Sequence, residues 1–290
     1  MPSRLSAFLP RIIGALFLLV LGGCSAVKIG YNNAPALAYW WLDGYVDFHD
    51  AQAVQVRDSL AGLHAWHRKT ELPLYADVLR QVQRMAAGPV TPQQVCEISD
   101  QVRARVNSLG EQASEGMSRV VPTLKPPQLR HLAQQFDKHN QSWREEWLDG
   151  TPAERTARRL DKALERAEGF YGRLDEPQRA VLRQSIQNSA FDATLAWRER
   201  QRRQQDLLQV LREHSQGVRA AHVKAEILAL HQRNMDSPDP AYRGMFERVV
   251  SDSCRDLAAL HNSTNANQRR ELLKTLKNYE NDLKALMAAS

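Results

Sequence analysis

The chain has 290 residues, of which 43% are hydrophobic and 25% are charged, and its formal net charge is +6. These proportions are typical of a folded protein and exclude an intrinsically disordered one. The length suffices for one large domain or two smaller domains, and either can bury a sizeable core. The basic residues are dispersed along the chain, so we expect no nucleic-acid partner.

The first 23 residues have the organisation of a bacterial export leader. Arg4 and Arg11 supply positive charge, and residues 12–21 form an apolar run. This run has about ten residues, whereas a helix needs roughly 20 apolar residues to span a bilayer. We therefore predict a signal peptide over residues 1–23 and not a membrane-spanning helix.

The end of this leader predicts a lipidation site. Gly22 and Gly23 stand directly before Cys24, as small residues precede the cysteine in lipoprotein leaders. We predict cleavage between Gly23 and Cys24, diacylglycerol on the thiol, and an acyl chain such as palmitate on the new amino terminus. The alternative is an ordinary secretory signal followed by a chance cysteine. Removal of the leader would lower the net charge to +4.

The expected partner of this anchor is a membrane surface. No later stretch is long and apolar enough to span a bilayer, so we expect attachment through lipid alone. Residue 25 is serine; in Gram-negative lipoproteins an aspartate there commonly means retention in the inner membrane. We therefore expect the periplasmic face of the outer membrane, with the inner membrane less favoured. Residues 24–34 would form a lipidated tether that reaches at most about 35 Å.

Residues 35–48 are the most aromatic stretch of the chain. Pro35 suits the first position of a helix, and the dipeptide at 43–44, Asp-Gly, suits a stop or a bend. Two interpretations stay open: a helix that packs on the protein core, or a belt at the membrane surface, where Trp and Tyr favour the headgroup region. The candidates for an interaction surface in this stretch are Trp40, Trp41 and Tyr45.

Several short motifs here resemble a known family. They are Tyr-Asn-Asn-Ala-Pro at 31–35, Tyr-Trp-Trp-Leu-Asp at 39–43, Trp-His-Arg at 66–68 and Glu-Leu-Pro-Leu-Tyr-Ala at 71–76. They are similar to motifs of uncharacterised Gram-negative helical lipoproteins, a domain of unknown function (DUF6279-like). The resemblance covers the mature chain and is most specific at its amino-terminal end. It implies a helical periplasmic lipoprotein and brings no activity, cofactor or catalytic residue.

From residue 50 onward the periodic signals are helical. Four segments place an oxygen-bearing side chain three residues before Gln or Glu, which is the capping box that begins helices. These segments are 91–94, 151–154, 175–178 and 265–268, and 125–128 matches all but the cap residue. We predict helix starts at about 92, 126, 152, 176 and 266. The fold would be an all-α bundle of about eight helices over 35–290, with a possible sub-bundle boundary near residue 150.

Two cysteines remain once Cys24 is assigned to the anchor. Cys96 and Cys254 are an even pair in an oxidising compartment, and a bond between them would close a loop of well over a hundred residues. The sequence leaves open whether they form a disulfide or stay as two separate buried thiols, because separation along the chain does not give distance in space.

Motifs of catalysis are missing from the sequence. It has no Gly-rich phosphate loop and no G-x-S-x-G elbow, so we expect no enzyme and no cofactor. His64 and His67 lie three residues apart, a spacing that can share a metal. No cysteine or HExxH pattern completes a site beside them, so we predict no metal site.

The strongest basic run is Arg198-Glu199-Arg200-Gln201-Arg202-Arg203. A solvated helix face and a contact for anionic lipid or glycan are the two interpretations. The candidates for an interaction surface here are Arg198, Arg202 and Arg203, and a second basic group would extend it if the helices lie side by side: Arg155, Arg158 and Arg159.

Together these patterns favour binding over catalysis. The first hypothesis is a protein-binding or scaffold component of the cell envelope. The second is a periplasmic chaperone, because the Thr-Pro-x-Gln helix starts are similar to the Leu-Thr-x-x-Gln motif of Spy-type chaperones, although capping alone accounts for them. The third is a hydrolase of envelope material. The sequence identifies no small-molecule substrate.

Overall fold

A computed structural model describes residues 23–215 and 220–289, and every regular element in these ranges is helical. Residues 1–22 of the leader predicted over 1–23, and the side chain of Cys24, lie outside the described part. The α-helices are more numerous than the eight that we predict. They are α1 (Gly23–Asn32), α2 (Ala34–Val46), α3 (Asp50–Trp66), α4 (Leu72–Ala86), α5 (Pro92–Val120), α6 (Pro126–Trp147), α7 (Pro152–Tyr171), α8 (Glu176–Asn188), α9 (Ala193–His214), α10 (Ala220–Met235), α11 (Pro240–Asn262) and α12 (Ala266–Ala288).

The segment predicted as a lipidated tether, 24–34, is mainly helical. Residues Gly23–Asn32 form α1, and this helix packs against α12. The Tyr31 hydroxyl lies 2.9 Å from Nδ1 of His67, and Lys28 lies 3.7 Å from Asp282. These contacts hold the segment against the bundle. A ten-residue helix measures about 15 Å, less than half the reach of the extended chain.

The helix starts predicted from capping boxes are confirmed. α5, α6, α7, α8 and α12 begin at residues 92, 126, 152, 176 and 266. In four of them the cap side chain accepts the backbone N–H three residues later, and the Gln or Glu there accepts the cap's own N–H. The start of α6 keeps half of this exchange, because Gln128 Oε1 accepts the N–H of Lys125 at 2.9 Å.

The capping glutamines of α8 and α12 also join these two helices. The buried amides of Gln178 and Gln268 donate to each other at 2.8 Å in both directions. Each amide also donates to the backbone just before the other helix: Gln178 to the carbonyl of Ser263, and Gln268 to that of Arg173. Two helix starts are thus fixed side by side.

The same arrangement recurs at the starts of α3 and α6. Gln52 and Gln128 exchange amide hydrogen bonds at 3.3 and 2.8 Å. Gln52 donates to the carbonyl of Thr123, and Gln128 donates to that of Asp47. Three of the five helix starts predicted from the sequence, those of α6, α8 and α12, therefore also take part in the pairing of helices.

The apolar residues form two buried clusters. The first joins α3, the end of α5, α6, α9 and α10, and contains Val56, Val120, Leu129, Leu208 and Ile227 among others. The second joins α4, α7, α8, α11 and α12, and contains Ala86, Tyr171, Leu174, Leu260 and Leu272 among others. Each cluster takes residues from both sides of residue 150, where the sequence offers a possible sub-bundle boundary.

The longest described helix, α5, connects the helices of the two clusters. It packs on α3 and α10, which belong to the first cluster, and on α11, which belongs to the second. In the structure a disulfide joins Cys96 of α5 to Cys254 of α11, with 5.4 Å between their Cα atoms. The bond spans 158 residues of sequence, which in the chain-entropy model corresponds to a stabilisation of about 4–5 kcal/mol. No helix in the described ranges is long and apolar enough to cross a membrane.

Candidate binding cleft

An open cleft of about 810 Å³ lies between α2, α5, α6, α9 and α10. Hollows beside α4 and α6 measure about 400 to 500 Å³. The cleft volume is in the range of ligand pockets, which in bundles form between helices. Its walls are mainly apolar, and the aromatic residues that line it are Trp41, Tyr45, Phe48, Phe136, Trp143, Trp147, Phe191 and Tyr242.

One wall of the cleft is a run of stacked rings. Trp143 and Trp147 lie four residues apart on α6, and this spacing places them on one face of the helix. Their ring centroids are 6.2 Å apart; Trp143 also stacks on Trp197 of α9 at 5.4 Å. Phe191, just before α9, contacts Trp147 at 5.4 Å. The rings hold α6 and α9 together and present apolar surface to the cleft.

Another edge of the cleft is the aromatic helix α2. Tyr45 contacts Phe136 and stacks on His139, with centroids 6.1 and 5.1 Å apart. Trp40 and Trp41 stay 75% and 56% exposed, and Trp41 also lines the cleft. One face of α2 therefore packs on the first core cluster and another remains open. The packed face agrees with the interpretation as a core helix, and the membrane belt stays a prediction for the exposed face.

The polar end of the cleft contains a buried carboxylate. Glu199 is 2% exposed and accepts hydrogen bonds from Arg202, Arg203 and Ser237, at 2.6 to 2.9 Å. Burial alone raises the pKa of a carboxyl group, but these hydrogen bonds outweigh it and lower the pKa of Glu199 to about 2. The group is thus a permanent anion near neutral pH.

The basic run predicted as an interaction surface is partly neutralised within the protein. Arg202 also donates to Asp206, which accepts two hydrogen bonds from Arg233 of α10 at 2.8 and 2.9 Å. Arg198 pairs with Asp239 at 3.2 Å. Arg203 reaches the cleft. The structure therefore brings Arg203 to the same cleft as Trp41 and Tyr45, which the sequence treats as a separate surface.

The arginines that could extend this surface make local contacts. Arg155 donates to the carbonyls of Leu148 and Gly150. Arg158 donates to the carbonyls of residues 146 and 149. The carbonyl of residue 146 lies in the last turn of α6 and the other three follow the end of that helix. Basic side chains commonly satisfy carbonyls at such helix ends. Arg159 lies over the ring of Phe191.

The predicted histidine pair packs around a tyrosine. Residues His67–Glu71 form a π-helical turn between α3 and α4. The ring of Tyr31 lies 4.6 Å from that of His64 and 5.8 Å from that of His67. Burial lowers the pKa of both imidazoles, so both favour the neutral form. Within the described residues, this pair belongs to no group of three metal-ligating side chains.

Sequence reasoning misses the residues that build the polar end of the cleft. The spacing of Glu199 to Arg202 and Arg203, three and four residues, is a signal of intrahelical ion pairs. Nothing in the sequence connects Arg233 to Asp206, because they lie on different helices. Likewise, only the packing of α2 against α6 brings Tyr45 to Phe136.

Comparison with known proteins identifies a family. The model of a family of unknown function (DUF6279) matches residues 44–235, which is more than half of the chain. The matched range begins near the end of α2 and ends with α10, so it includes most residues that line the cleft. No curated protein and no solved structure matches the chain.

Proposed function

Since this chain belongs to the DUF6279 family, whose function is unknown, we propose a function from its own surfaces. The protein is a lipid-anchored component of the cell envelope that binds an amphipathic helix of a partner protein in the cleft. The observation that supports this most is the aromatic, open cleft of about 810 Å³ between helices. Grooves of this kind take the apolar face of a helix through side chains at i, i+3, i+4 and i+7.

The composition of the cleft favours a protein ligand. Trp, Tyr and Arg are the residue types that contribute most binding energy at protein interfaces, and all three line this cleft. The exposed side chains of Leu37, Trp40 and Trp41 continue the apolar surface along α2. Exposed apolar patches of this kind mark interaction sites on soluble surfaces.

The charges of the cleft favour an acidic residue on the partner helix. Arg200 and Arg203 line the cleft beside Glu199. Arg200 uses its Nε to bond Asn140 at 2.7 Å. The negative charge of Glu199 is already paired, because it accepts bonds from Arg203, Arg202 and Ser237. The guanidinium groups of the two cleft arginines are therefore the charges that a carboxylate of the partner helix can contact. A bidentate arginine–carboxylate contact would fix the direction of the bound helix.

The anchor places this cleft close to a membrane. We place the lipid on Cys24 and the protein on the periplasmic face of the outer membrane, as the leader and Ser25 indicate. α1 and α2 follow directly, and their 10 and 13 residues measure about 15 and 20 Å. Because α2 forms one edge of the cleft, partners would be captured close to the bilayer.

The two other hypotheses rank lower. A holder of many unfolded clients needs an adaptable surface, whereas this cleft is built from stacked rings on paired helices. A hydrolase needs an acid or base with a pKa near the working pH. Glu199, the carboxylate in the cleft, has its pKa lowered to about 2, which makes hydrolysis there the least favoured proposal.

Photo-crosslinking in living cells tests the proposed function. A photoreactive amino acid replaces Trp41 at the cleft, and a control strain carries it at Tyr279, which is exposed on α12. We expect one dominant envelope protein crosslinked from position 41 and not from 279. Adding Ala196→Trp, which fills the cleft from α9, should abolish this product. Many unrelated exported proteins would instead support the holder, and lipid alone would overturn the proposal.

A further inference from the structure

A second polar group lies where α9 ends and α10 begins, away from the aromatic wall. His214 closes α9, and His222 and Glu226 lie in the first turns of α10. One ligand atom of each side chain lies within 4.8 Å of the others, and no other such group of three occurs in the described ranges. The two imidazole rings meet at 71°, with centroids 5.2 Å apart.

His214 has an unsatisfied nitrogen. The residue is 8% exposed, and its Nδ1 is buried without a hydrogen-bond partner. Buried polar atoms in folded proteins nearly always have a partner, and an unpaired one is costly. A metal ion bound through this nitrogen, between His214 and α10, would supply the missing interaction.

We propose that His214, His222 and Glu226 bind a divalent transition-metal ion, with Zn²⁺ as the best fit. Imidazole nitrogens and a carboxylate oxygen are zinc ligands, and two histidines with one glutamate form a known three-ligand set with an open fourth position. Ca²⁺ and Mg²⁺ prefer oxygen ligands and fit this set poorly. The fourth position would take water or a donor from outside the chain.

The geometry needs a modest closure. In a tetrahedral site with zinc–ligand bonds of about 2.0–2.2 Å, two ligand atoms lie about 3.3–3.6 Å apart. Side chains whose ligand atoms lie within 4.8 Å of one another must therefore approach by at most about 1.5 Å, and the exposed side chain of His222 has room for this movement. His222 and Glu226 are four residues apart on one helix face.

The charges around the group suit a cation. The C-terminal end of a helix carries partial negative charge, which favours a cation beside His214. Glu226 forms no ion pair with any residue that the structure describes, so its carboxylate is available. The ion would tie α9 to α10, and both helices also line the cleft. The proposal does not depend on what the cleft binds.

Zinc titration of the full-length, untagged chain in detergent tests the site. After dialysis against a chelator, isothermal titration calorimetry with Zn²⁺ should give one ion per chain, and elemental analysis should give the same ratio. His222→Ala and Glu226→Gln should each weaken binding by at least about tenfold. The control His139→Ala removes an exposed histidine that stacks on Tyr45 and should leave zinc binding unchanged.

A thermal readout separates binding from misfolding. Zinc should raise the Tm of the wild-type chain, because a ligand that binds only the folded state stabilises it. The Tm of His222→Ala without zinc should equal that of the wild type without zinc, and zinc should not raise it. Absence of zinc binding by the wild type, or equal binding by the wild type and His222→Ala, would overturn the proposal.

Discussion

Glu199 shows how one buried charge organises the polar end of the cleft. Its carboxylate is held by two arginines of its own helix and by Ser237, which comes after α10. An ionised carboxylate is tolerated in such a position only when it is paired and hydrogen-bonded. The arrangement therefore positions Arg203 at the cleft and joins α9 to the chain before α11.

Replacement of Glu199 by glutamine should lower the free energy of unfolding by about 2–3 kcal/mol. Breaking a fully buried ion pair costs about 3–5 kcal/mol, and the loss is smaller here because Arg202 and Arg203 are 24% and 38% exposed. Urea denaturation at pH 7 measures the change. The control Glu176→Gln removes an exposed pair with Arg183 and should change stability by less than about 0.5 kcal/mol.

Glu199 should also make the stability of the protein depend on pH in the acid range. Since the pKa of Glu199 is lowered to about 2, its contribution to stability is fully present above the ordinary carboxyl pKa of about 4.3. The contribution is lost as the pH falls towards 2. Glu280 has its pKa lowered to about 2 by hydrogen bonds from Lys284, Lys277 and Gln83, and it acts in the same direction.

Between about pH 5 and 2, Glu199→Gln should therefore lose stability less steeply than the wild type, while keeping the slope due to Glu280. Urea denaturation at several pH values measures both slopes. Equal slopes for the two chains would mean that Glu199 is not held as a stabilised anion.

At the scale of elements, Gln178 and Gln268 have two roles: each caps the start of its own helix, and together they connect α8 to α12. Gln178→Ala or Gln268→Ala should each destabilise the protein by about 1–3 kcal/mol, because each removes the bonds between the two buried amides and leaves a backbone carbonyl, that of Ser263 or Arg173, without its donor. The double variant should cost less than the sum, since the amides bond each other. A double-mutant cycle by chemical denaturation measures the coupling, and additive effects would contradict the pairing.

Two glycines give a matched test of how closely α5 and α10 approach. A Cβ at Gly110 would overlap the ring of His231, which is bonded to Asn107 at 3.0 Å. Gly110→Ala should therefore cost about 1–3 kcal/mol. Gly62 is exposed on α3, and nothing lies within 4 Å of the position that an added methyl group would take. Gly62→Ala should therefore stabilise by about 0.5–1 kcal/mol. Thermal denaturation of both variants measures the difference, and stabilisation by both would mean that the helices are less close.

The sequence predicts the beginnings of these helices better than their contacts. Thr91, Thr151, Asp175 and Asn265 mark four starts because capping uses residues three apart in the chain. The pairing of Gln178 with Gln268 joins residues 90 apart and has no local signal. The π turn at His67–Glu71 contains no Gly or Pro, so nothing local predicts it.

For the cleft and the histidine group too, the sequence predicts the spacing of residues within one helix but not the contacts between helices. Trp143 and Trp147 form a predictable face of α6, but their contacts with Trp197 and Phe191 depend on how α6 and α9 pack. His222 and Glu226 have a recognisable helical spacing. His214 belongs to another helix, and only the fold brings it near them.

Across the whole molecule, α5 connects the disulfide to the cleft. Its 29 residues measure about 43 Å. Cys96 near its start is bonded to α11, while Gly110 and Met117 in its second half line the cleft. A single helix thus joins the second core cluster's side of the molecule to the side that carries the cleft. In the proposed lipid-anchored protein, the orientation of the cleft relative to the membrane would depend on α1 and α2.

The proposed anchor predicts the location of the entire protein. Cys24→Ser removes the thiol that would carry diacylglycerol, so the protein should lose incorporated radiolabelled palmitate and move from the membrane fraction to the soluble periplasmic fraction. Several acyl chains are needed for stable attachment, and no described helix could span the bilayer in their place. Fractionation with palmitate labelling measures both effects.

The double variant Cys96→Ala/Cys254→Ala is the matched control for this measurement. It removes the disulfide but leaves Cys24, so it should keep both the palmitate label and the membrane location. If Cys24→Ser remained labelled and bound to the membrane, the anchor would lie elsewhere. The short path from lipid to cleft through α1 and α2 would then no longer place partner capture at the bilayer surface.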